Sequence, residues 1–241
     1  MGTVRVGTSG WVYGHWKGRF YPEELAQSRW LQHFAQHFST VELNASFYHL
    51  PKPETFARWR VSTPEGFLFA VKASRYMTHT KKLRDAEEPC SRFINSASRL
   101  EEKLGPVLFQ LPPTLQANTQ VLKDFCMVLP PSYLYAIEPR HESWFQREVY
   151  RILEKHNIAL CMADSPDWPM EETITAAFIY IRFHGGSVLY GSNYSGEELS
   201  VWAGRIRKWA KENLDVYAYF NNDAHGYAIQ NAKTLEELLQ K

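Results

Sequence analysis

Eight short runs of β-branched, aromatic and aliphatic residues recur along the chain, and segments with helical spacing separate most of them. Runs of this length, bounded by turn-forming residues, predict buried β-strands. A chain in which strands alternate with helices is expected to form parallel strands joined by right-handed crossovers. The predicted strands are Val4–Thr8, Thr40–Asn44, Phe67–Ala73, Val107–Leu111, Leu134–Glu138, Ile158–Asp164, Phe178–His184 and Val216–Asn221.

Apolar residues three or four positions apart predict the helices between these strands. The first helix is expected to start at Pro22, with two acidic residues after it, and to bury one face of residues 31–38. In the sixth unit Pro166 and Pro169 fall where a helix would start, so a loop is predicted there. Further helices are predicted around residues 93–104, 121–129, 149–153, 199–210 and 228–239.

Eight strand–helix units in 241 residues indicate one domain, residues 1–241, with an α/β fold of the irregular TIM-like (β/α)8 barrel type. Barrels of this kind commonly span about 250 residues as a single domain. An open doubly wound sheet is the rival fold. No G-x-G-x-x-G motif follows the first predicted strand, which weakens a dinucleotide-binding interpretation. No linker, repeat or low-complexity tract divides the chain.

Charge and cysteine usage narrow the class of protein. The formal net charge of +1 argues against a protein that coats nucleic acid or an acidic membrane through bulk charge, although it allows a local basic pocket. Cys90, Cys126 and Cys161 lie far apart and form neither a metal-binding spacing nor a disulfide framework. No targeting segment or apolar stretch of about 18 residues is found. We therefore expect a cytoplasmic protein that has no membrane partner, whose oligomeric state these patterns leave open.

Polar residues cluster near the carboxyl ends of the predicted strands. Residues two apart share a face of a strand, and TIM barrels carry their active sites at this end. A salt-bridged plug in the barrel mouth is the structural alternative, but buried ion pairs add little net stability and are often functional. The residues are Glu42 and Asn44, Lys72 and Ser74, Gln110, Glu138 and Arg140, Asp164, Arg182 and His184, and Asn221 with Asn222.

Loops after these strands add aromatic and basic side chains, in a chain with 15% aromatic residues. Such rings stack on sugars and bases, and Arg or His holds anions. Each ring on its own is better explained as a cover over the core, whereas the whole set favours a ligand platform. The turn at Asn221–Gly226 is expected either to bind phosphate or to cap the last helix. The loop residues are Trp11, Tyr13, Trp16, Phe47, Tyr48, Arg75, Tyr76, His79, His141, Trp144, Tyr190 and Tyr194.

Seven segments together resemble the YecE-like family, a widespread barrel family of unknown function. They include GTSGWVYGHWKGRFYP at 7–22, FAVKASRYMTHTKKL at 69–83, AIEPRHESWF at 136–145 and VYAYFNNDAHGYAIQNA at 216–232, and they cover nearly the whole chain in order. The resemblance implies an irregular TIM-like barrel, similar to that of apurinic endonucleases, but no reaction. The matching positions carry Glu42, Asn44, Lys72, Arg75, His79, Gln110, Glu138, Arg140, His141, Trp144, Arg182, His184, Asn221 and Asn222.

An enzyme acting on a small anionic or sugar-phosphate-like substrate is the function we favour, of the hydrolase, lyase or isomerase type and without a cofactor. Glu42 or Glu138 would be the acid/base, with His184 as a second proton carrier and Lys72 on the anion. A Schiff base at Lys72 is conceivable, but an ion pair with either glutamate would raise its pKa and oppose it. The expected substrate-binding residues are Trp11, Asn44, Tyr48, Arg75, His79, Gln110, Arg140, His141, Trp144, Arg182, Tyr190, Asn221 and Asn222.

Two other functions remain open. A metal-dependent phosphodiesterase or endonuclease would hold a divalent metal with Glu138, Asp164 and His184, helped by Glu42 or His141, but no metal-binding motif supports these ligands. A non-catalytic protein could bind nucleotides or single-stranded nucleic acid. That protein would use Arg75–Arg84 with the rings of Trp11, Tyr13, Trp16 and Tyr76.

Overall fold

The computed structural model describes residues 1–240, which form an α/β fold of parallel strands and helices. Within these residues the strands are β1 Val4–Thr8, β2 Thr40–Leu43, β3 Leu68–Lys72, β4 Leu104–Gln110, β5 Tyr135–Glu138, β6 Ile158–Leu160, β7 Met162–Asp164, β8 Phe178–Phe183 and β9 Asp215–Phe220. The α-helices are α1 Trp30–Phe34, α2 Ala45–Tyr48, α3 Pro53–Val61, α4 Glu87–Ala97, α5 Thr119–Met127, α6 Arg147–Lys155, α7 Gly196–Lys211 and α8 Tyr227–Leu239.

The predicted starting residue of the first helix is wrong. Helix α1 begins at Trp30, and residues 22–26 are not helical. The ring of Tyr21 stacks on that of Trp30 with centroids 4.5 Å apart, and the Leu25 carbonyl accepts a hydrogen bond from the Trp30 indole. Aromatic packing thus overrides the local preference for a helix at Pro22. Helices α2 and α3 were not predicted, since their short segments show weaker periodicity.

Every predicted strand is present, but the sixth is divided. The run Ile158–Asp164 forms β6, which pairs with β5, and β7, which pairs with β8, with Cys161 between them. A strand that changes partners must turn between the two pairings, and Cys161 is the residue at that turn. The predicted loop after it is confirmed, because residues 165–177 contain neither helix nor strand.

The strands form two parallel sheets that face each other. Their orders are β2-β3-β4-β5-β6 and β1-β9-β8-β7. Tyr219 on β9 hydrogen-bonds to Thr40 on β2 at 2.7 Å, and a single parallel bridge joins Ser9 to Glu42 where β1 passes β2. A core formed by strand residues alone lies between the sheets, and a larger core lies under the helices. The carboxyl ends of all strands therefore converge on one side of the fold.

The three cysteines are free and buried, in agreement with the absence of a disulfide framework in the sequence, and Cys90 packs against the sulfur of Met77 at 3.5 Å. Among residues 1–240, no helix combines the length and apolar character needed to cross a lipid bilayer.

Gly7 permits the close passage of β1 over β2. A Cβ atom at this position would lie 2.3 Å from the Thr40 carbonyl oxygen, so Gly7→Ala should lower the free energy of unfolding by about 1–3 kcal/mol through overpacking. Gly204→Ala is the matched control, because the new Cβ would meet open space on the exposed face of α7. This substitution should raise the free energy of unfolding by about 0.5–1 kcal/mol. Urea unfolding measures both. Equal stability of the two variants would contradict a tight junction at Gly7.

Candidate functional site

Arg182 on β8 is the centre of a buried ion cluster that joins the two sheets. Its side chain is fully buried, with Nη2 2.7 Å from Oε1 of Glu42 on β2 and Nη1 2.5 Å from Oε2 of Glu138 on β5. Both carboxylates are also fully buried. A buried guanidinium needs such partners, since an uncompensated charge in the interior costs several kcal/mol. The cluster therefore fixes the three strand ends relative to one another.

The two glutamates are held ionised by this arrangement. Burial has the largest single effect and raises the pKa of each carboxyl, but Arg182 and the neighbouring donors and charges together lower the pKa of Glu42 below its ordinary value and that of Glu138 well below it. Hydroxyl groups of Ser9 and Tyr180 donate to Glu42, each at 2.7 Å. Arg140 donates to Glu138 at 2.9 Å. Neither glutamate is therefore suited to exchange a proton near neutral pH.

Lys72 lies beside this cluster without joining it. Its side chain is 9% exposed at the end of β3, and its Nζ is 4.1 Å from the centre of the Phe47 ring. Across residues 1–240, Nζ makes no hydrogen bond and no ion pair. Burial, and next the charge of Arg182, lower the pKa of Lys72 to about 7 against the opposing effect of Glu138 and Glu42. The expectation that an ion pair would raise this pKa is wrong, because Arg182 already engages both glutamates.

His184 on the segment after β8 is neutral at pH 7. Complete burial is the main reason that its pKa falls to about 4, although Glu138 opposes the shift. The Asn221 amide lies 3.2 Å from Nδ1, and Nε2 is 3.4 Å from Oε1 of Glu138. If Nδ1 accepts from Asn221, the proton resides on Nε2 and points towards the ion cluster. His184 thus faces Glu138 without completing a hydrogen bond to it and adds no charge.

A cavity of about 540 Å³ opens above the strand ends, within the usual volume of a small-molecule site. Three buried polar atoms around the cluster lack a hydrogen-bond partner: Nε of Arg182, Nε2 of His184 and Oδ1 of Asn44. Such unsatisfied atoms are rare in protein interiors and concentrate at functional sites. The cavity is lined by Tyr13, His15, Asn44, Tyr48, Lys72, Arg182, Tyr190, Asn221, Asp223 and Ala224.

A histidine–aspartate pair in this lining was missed by the sequence analysis. Nε2 of His15 lies 2.8 Å from Oδ2 of Asp223, and the Trp16 indole donates to both oxygens of Asp223 at 3.0–3.1 Å. Asp223 is buried, whereas the His15 side chain is 41% exposed. The two residues are 208 positions apart, so no local spacing reveals the pair. A carboxylate in this position orients the imidazole ring.

Two predicted substrate-binding aromatics belong to the core instead. Trp11 packs edge-on against Trp59 at 5.4 Å, and the buried Trp144 donates its indole N–H to a backbone carbonyl at 2.8 Å. Neither ring lines the cavity. Aromatic residues after a strand serve to cover the core in these cases, because burial of their large apolar area outweighs any advantage of exposure.

Several predicted polar contacts also point elsewhere. Gln110 donates its amide to the next residue's carbonyl, and Asn222 donates to Asn231 at 2.8 Å, so both satisfy buried structural hydrogen bonds. Asp164 accepts from the Trp202 indole at 2.9 Å and takes no part in neutralising the Arg182 cluster. Residues at the end of a strand alternate faces, and Asp164 occupies the face towards helix α7.

The remaining predicted residues surround the cavity without lining it. Arg140 stacks on Trp168, with its guanidinium carbon 3.6 Å from the ring centre. His79 packs against Phe47, and burial lowers its pKa to about 4. His141 accepts a hydrogen bond from the backbone of its own turn, and Arg75 is exposed.

The ligands predicted for a metal do not converge. Within the described chain, residues 1–240, no group of three His, Cys, Asp or Glu side chains is placed to share a metal ion. Glu138 is bound by two arginines and Asp164 faces Trp202, so the proposed set is divided between two faces. The geometry therefore gives the metal-dependent alternative no ligand cluster.

Comparison with known proteins places the chain in a family. The sequence model of a family described as protein of unknown function DUF72 matches residues 5–241. The chain belongs to the DUF72 family. This confirms the resemblance seen in the sequence, since the DUF72 chain is 28% identical to the UPF0759 protein YecE of Escherichia coli K12 over 237 residues, 88% of this chain and 86% of YecE.

Solved structures agree with this assignment. The crystal structure of a DUF72 family protein from Thermotoga maritima superposes with a TM-score of 0.89 at 30% identity, covering 99% of this chain and 100% of the other. A D-psicose 3-epimerase crystallised with D-fructose matches with a TM-score of 0.52 and 9% identity over 98% and 96% of the two chains. The second likeness is one of fold alone.

Arg182→Met should lower the free energy of unfolding by about 3–5 kcal/mol at pH 7.5, because Glu42 and Glu138 would stay buried without their shared cation. Both carboxyls have a lowered pKa when folded, so their stabilising effect is present above the ordinary value of 4.5 and is lost as the pH falls through the folded pKa. The difference in the free energy of unfolding between wild type and variant should therefore become smaller at acidic pH. Urea unfolding from pH 7.5 to 3 tests this.

Arg205→Met is the control for this variant, because Arg205 makes an exposed ion pair with Glu172 at 3.1 Å. Such pairs contribute at most about 1 kcal/mol. An equal decrease in the free energy of unfolding of both variants would show that the Arg182 cluster stabilises the protein no more than an exposed ion pair does.

Lys72→Met should raise the free energy of unfolding at pH 7 by about 1–3 kcal/mol, because it removes a buried amine without a partner. The folded pKa of about 7 lies below the ordinary 10.5, so the wild type loses stability as the pH falls from 10.5 to 7. The amount by which the free energy of unfolding of the variant exceeds that of the wild type should be greatest at pH 7 and vanish near pH 10.5.

Lys103→Met is the matched control. Lys103 is also buried, but its Nζ donates to the carbonyls of Arg60 and Thr63 at 2.7 and 2.6 Å, so its loss should cost about 1–3 kcal/mol. Denaturant unfolding compares the two variants. If Lys72→Met is as destabilising as Lys103→Met, Lys72 is part of a structural plug.

Proposed function

We propose that this protein is an enzyme that acts on a small anionic substrate, of the phosphate or sugar-phosphate kind, in the cavity at the carboxyl ends of its strands. The observation that carries the proposal is the unpaired amine of Lys72 in the lining of that cavity. A buried amine without a partner lowers stability, and groups of this kind with shifted pKa values concentrate at functional sites.

We also infer that the two sheets close into one irregular TIM-like barrel, which forms a single domain. Cys161 connects β6 directly to β7, and the bridge from Ser9 to Glu42 connects β1 to β2, so the strand pairing can be followed around a complete circuit. The fold likeness to D-psicose 3-epimerase supports this inference. Active sites of such barrels lie at the carboxyl ends of the strands, where the cavity is found.

The residues around the cavity divide into fixed and reactive groups. Glu42 and Glu138 hold Arg182 in a fully buried position, so this cluster is a fixed part of the cavity wall, and Lys72 is the lining cation that an anion can reach. Lys72 replaces the glutamates as the acid/base, since a pKa of about 7 matches the pH at which it must gain and lose a proton. His15, oriented by Asp223, supplies a second proton carrier in place of the buried His184.

A purely structural plug is less consistent with these contacts. In a plug each charge would have a partner, whereas Lys72 has none within residues 1–240. A second cavity of about 550 Å³ lies at the amino ends of the strands, but the charged groups in its lining are two separate carboxyls, Glu65 and Glu236, with no cation between them. The unpaired amine of Lys72 and the paired His15 and Asp223 therefore meet at the carboxyl-end cavity.

Nucleic-acid binding receives less support from the same structure. Trp11 and Trp16 are buried, and the Tyr13 hydroxyl is engaged with the Ser9 carbonyl, so of the four rings expected to stack on bases only Tyr76 is exposed. A net charge of +1 supplies no broad electrostatic surface. A cavity of about 540 Å³ suits a small ligand better than an extended strand.

Sulfate and sugar phosphates should stabilise the wild-type protein in thermal unfolding. At a concentration about 100 times Kd the gain is about 2.7 kcal/mol, which for this size raises Tm by about 5–10 °C. Sulfate keeps its charge across the range, so its effect should weaken as the pH rises from 6 to 8.5 and Lys72 loses its proton. Differential scanning fluorimetry at both pH values measures this.

The control is the Lys72→Met protein in the same salts. It should keep the general stabilisation by sulfate, which is excluded from protein surfaces, and lose the pH-dependent part. If at pH 6 no anion raises the Tm of the wild type more than it raises the Tm of Lys72→Met, the proposed function is wrong.

A further inference from the structure

The position and contacts of the Lys72 amine are those expected of a nucleophile. Its Nζ lies against the face of the Phe47 ring, in the lining of the cavity, and the nearby carboxylates of Glu42 and Glu138 are both bound by Arg182. In contrast, the amine of Lys103 is committed to three acceptors. Only an amine that is free of acceptors and deprotonated has a lone pair available for attack on carbon.

The groups around Lys72 set the pKa of its amine near neutral pH, so that both the protonated and the neutral form are present there. Arg182 and Arg140 disfavour its protonated form, and Glu138 and Glu42 favour it, while burial has the largest effect. The titratable and charged groups that surround it are Glu42 on β2, Glu138 and Arg140 at the end of β5, Arg182 on β8, His79 after β3, and Tyr13, His15, Tyr48, Tyr190 and Asp223 in the cavity lining.

We propose that Lys72 forms a covalent imine with the carbonyl carbon of a small phosphorylated aldehyde or ketone. This inference rests on the proposed function, because the same cavity must bind the anionic end of that compound. The Lys72 Nζ would bind to the carbonyl carbon while the side chains of His15, Tyr48 and Tyr190 in the lining hold the phosphate, and a cavity of about 540 Å³ accommodates such a molecule.

The step balances without an oxidant or a metal. The Nζ lone pair attacks the carbonyl carbon, the C=O π electrons move to oxygen, and that oxygen takes a proton, which gives a carbinolamine. The nitrogen then releases one proton, the hydroxyl group takes one and leaves as water, and the nitrogen lone pair forms the C=N bond of a protonated imine, which becomes neutral when the nitrogen releases its second proton. One water is released for each imine.

Residues in the cavity lining are suited to these proton transfers. His15 is held by Asp223 through Nε2, and in the described part of the chain its Nδ1 makes no hydrogen bond. Asn44 lines the cavity with its Oδ1 unpartnered. The imidazole could carry a proton to the carbinolamine hydroxyl, and the amide could orient it.

Reductive trapping tests the imine. The full-length protein is incubated with D-glyceraldehyde 3-phosphate or dihydroxyacetone phosphate and sodium cyanoborohydride, and adducts are located by peptide mass mapping. At pH 7 about one half of an amine with a pKa of about 7 is neutral, against about 1 in 2,500 for an ordinary lysine, so Lys72 should be labelled at least tenfold more than any other lysine. Glycerol 3-phosphate, which lacks a carbonyl, should give no adduct.

Two further readouts separate the imine from unspecific labelling. Labelling of Lys72 should level off above a pH of about 7, whereas ordinary lysines continue to react faster up to about pH 10. Lys72→Met should lose the dominant adduct, and Lys233→Met, which changes a lysine beside Phe20 outside the cavity lining, should keep it.

The outcomes distinguish this inference from the proposed function. If anions stabilise the protein through Lys72 but no adduct forms there in excess of other lysines, the imine is wrong and Lys72 acts only as a proton carrier. If neither anion stabilisation nor trapping occurs, both proposals fail.

Discussion

The structure depends on one buried interaction, the guanidinium of Arg182 between the carboxylates of Glu42 and Glu138. Three charges in a dry interior are tolerable only if each is paired and hydrogen-bonded. That requirement determines how the ends of β2, β5 and β8 lie relative to one another across the two sheets. It also determines the chemistry of the site, because both glutamates are committed to the arginine and remain ionised.

Lys72 acquires its properties from that commitment. Both glutamates are bound by Arg182. The Lys72 amine is therefore buried beside the Phe47 ring and near two arginines, and this environment favours its neutral form near pH 7. Lys103 shows what a stabilising buried lysine is like, since its amine meets backbone carbonyls on two sides. This contrast is the reason that we assign Lys72, and not Lys103, a part in the proposed function.

The fold was predictable where the pattern along the chain is strong and local. Each buried strand was recognised from its run of apolar residues, and the helix α7, with its Ser195–Glu198 capping box, also follows from nearby residues. The predictions were wrong where distant packing competes with local preference. Tyr21 stacks on Trp30 in place of a helix at Pro22, and Cys161 interrupts a run that must pair with β5 on one side and β8 on the other.

By itself the sequence determined the order of the elements, the family and the gathering of polar residues at one end of the strands, because period and parity are properties of neighbouring residues. Only the tertiary structure decided the partners. It bound Arg182 to both glutamates, left Lys72 unpaired, turned Asp164 towards Trp202 and brought His15 to Asp223 across 208 positions. Charge pairing and desolvation act through space, so they follow from how the sheets come together and not from spacing along the chain.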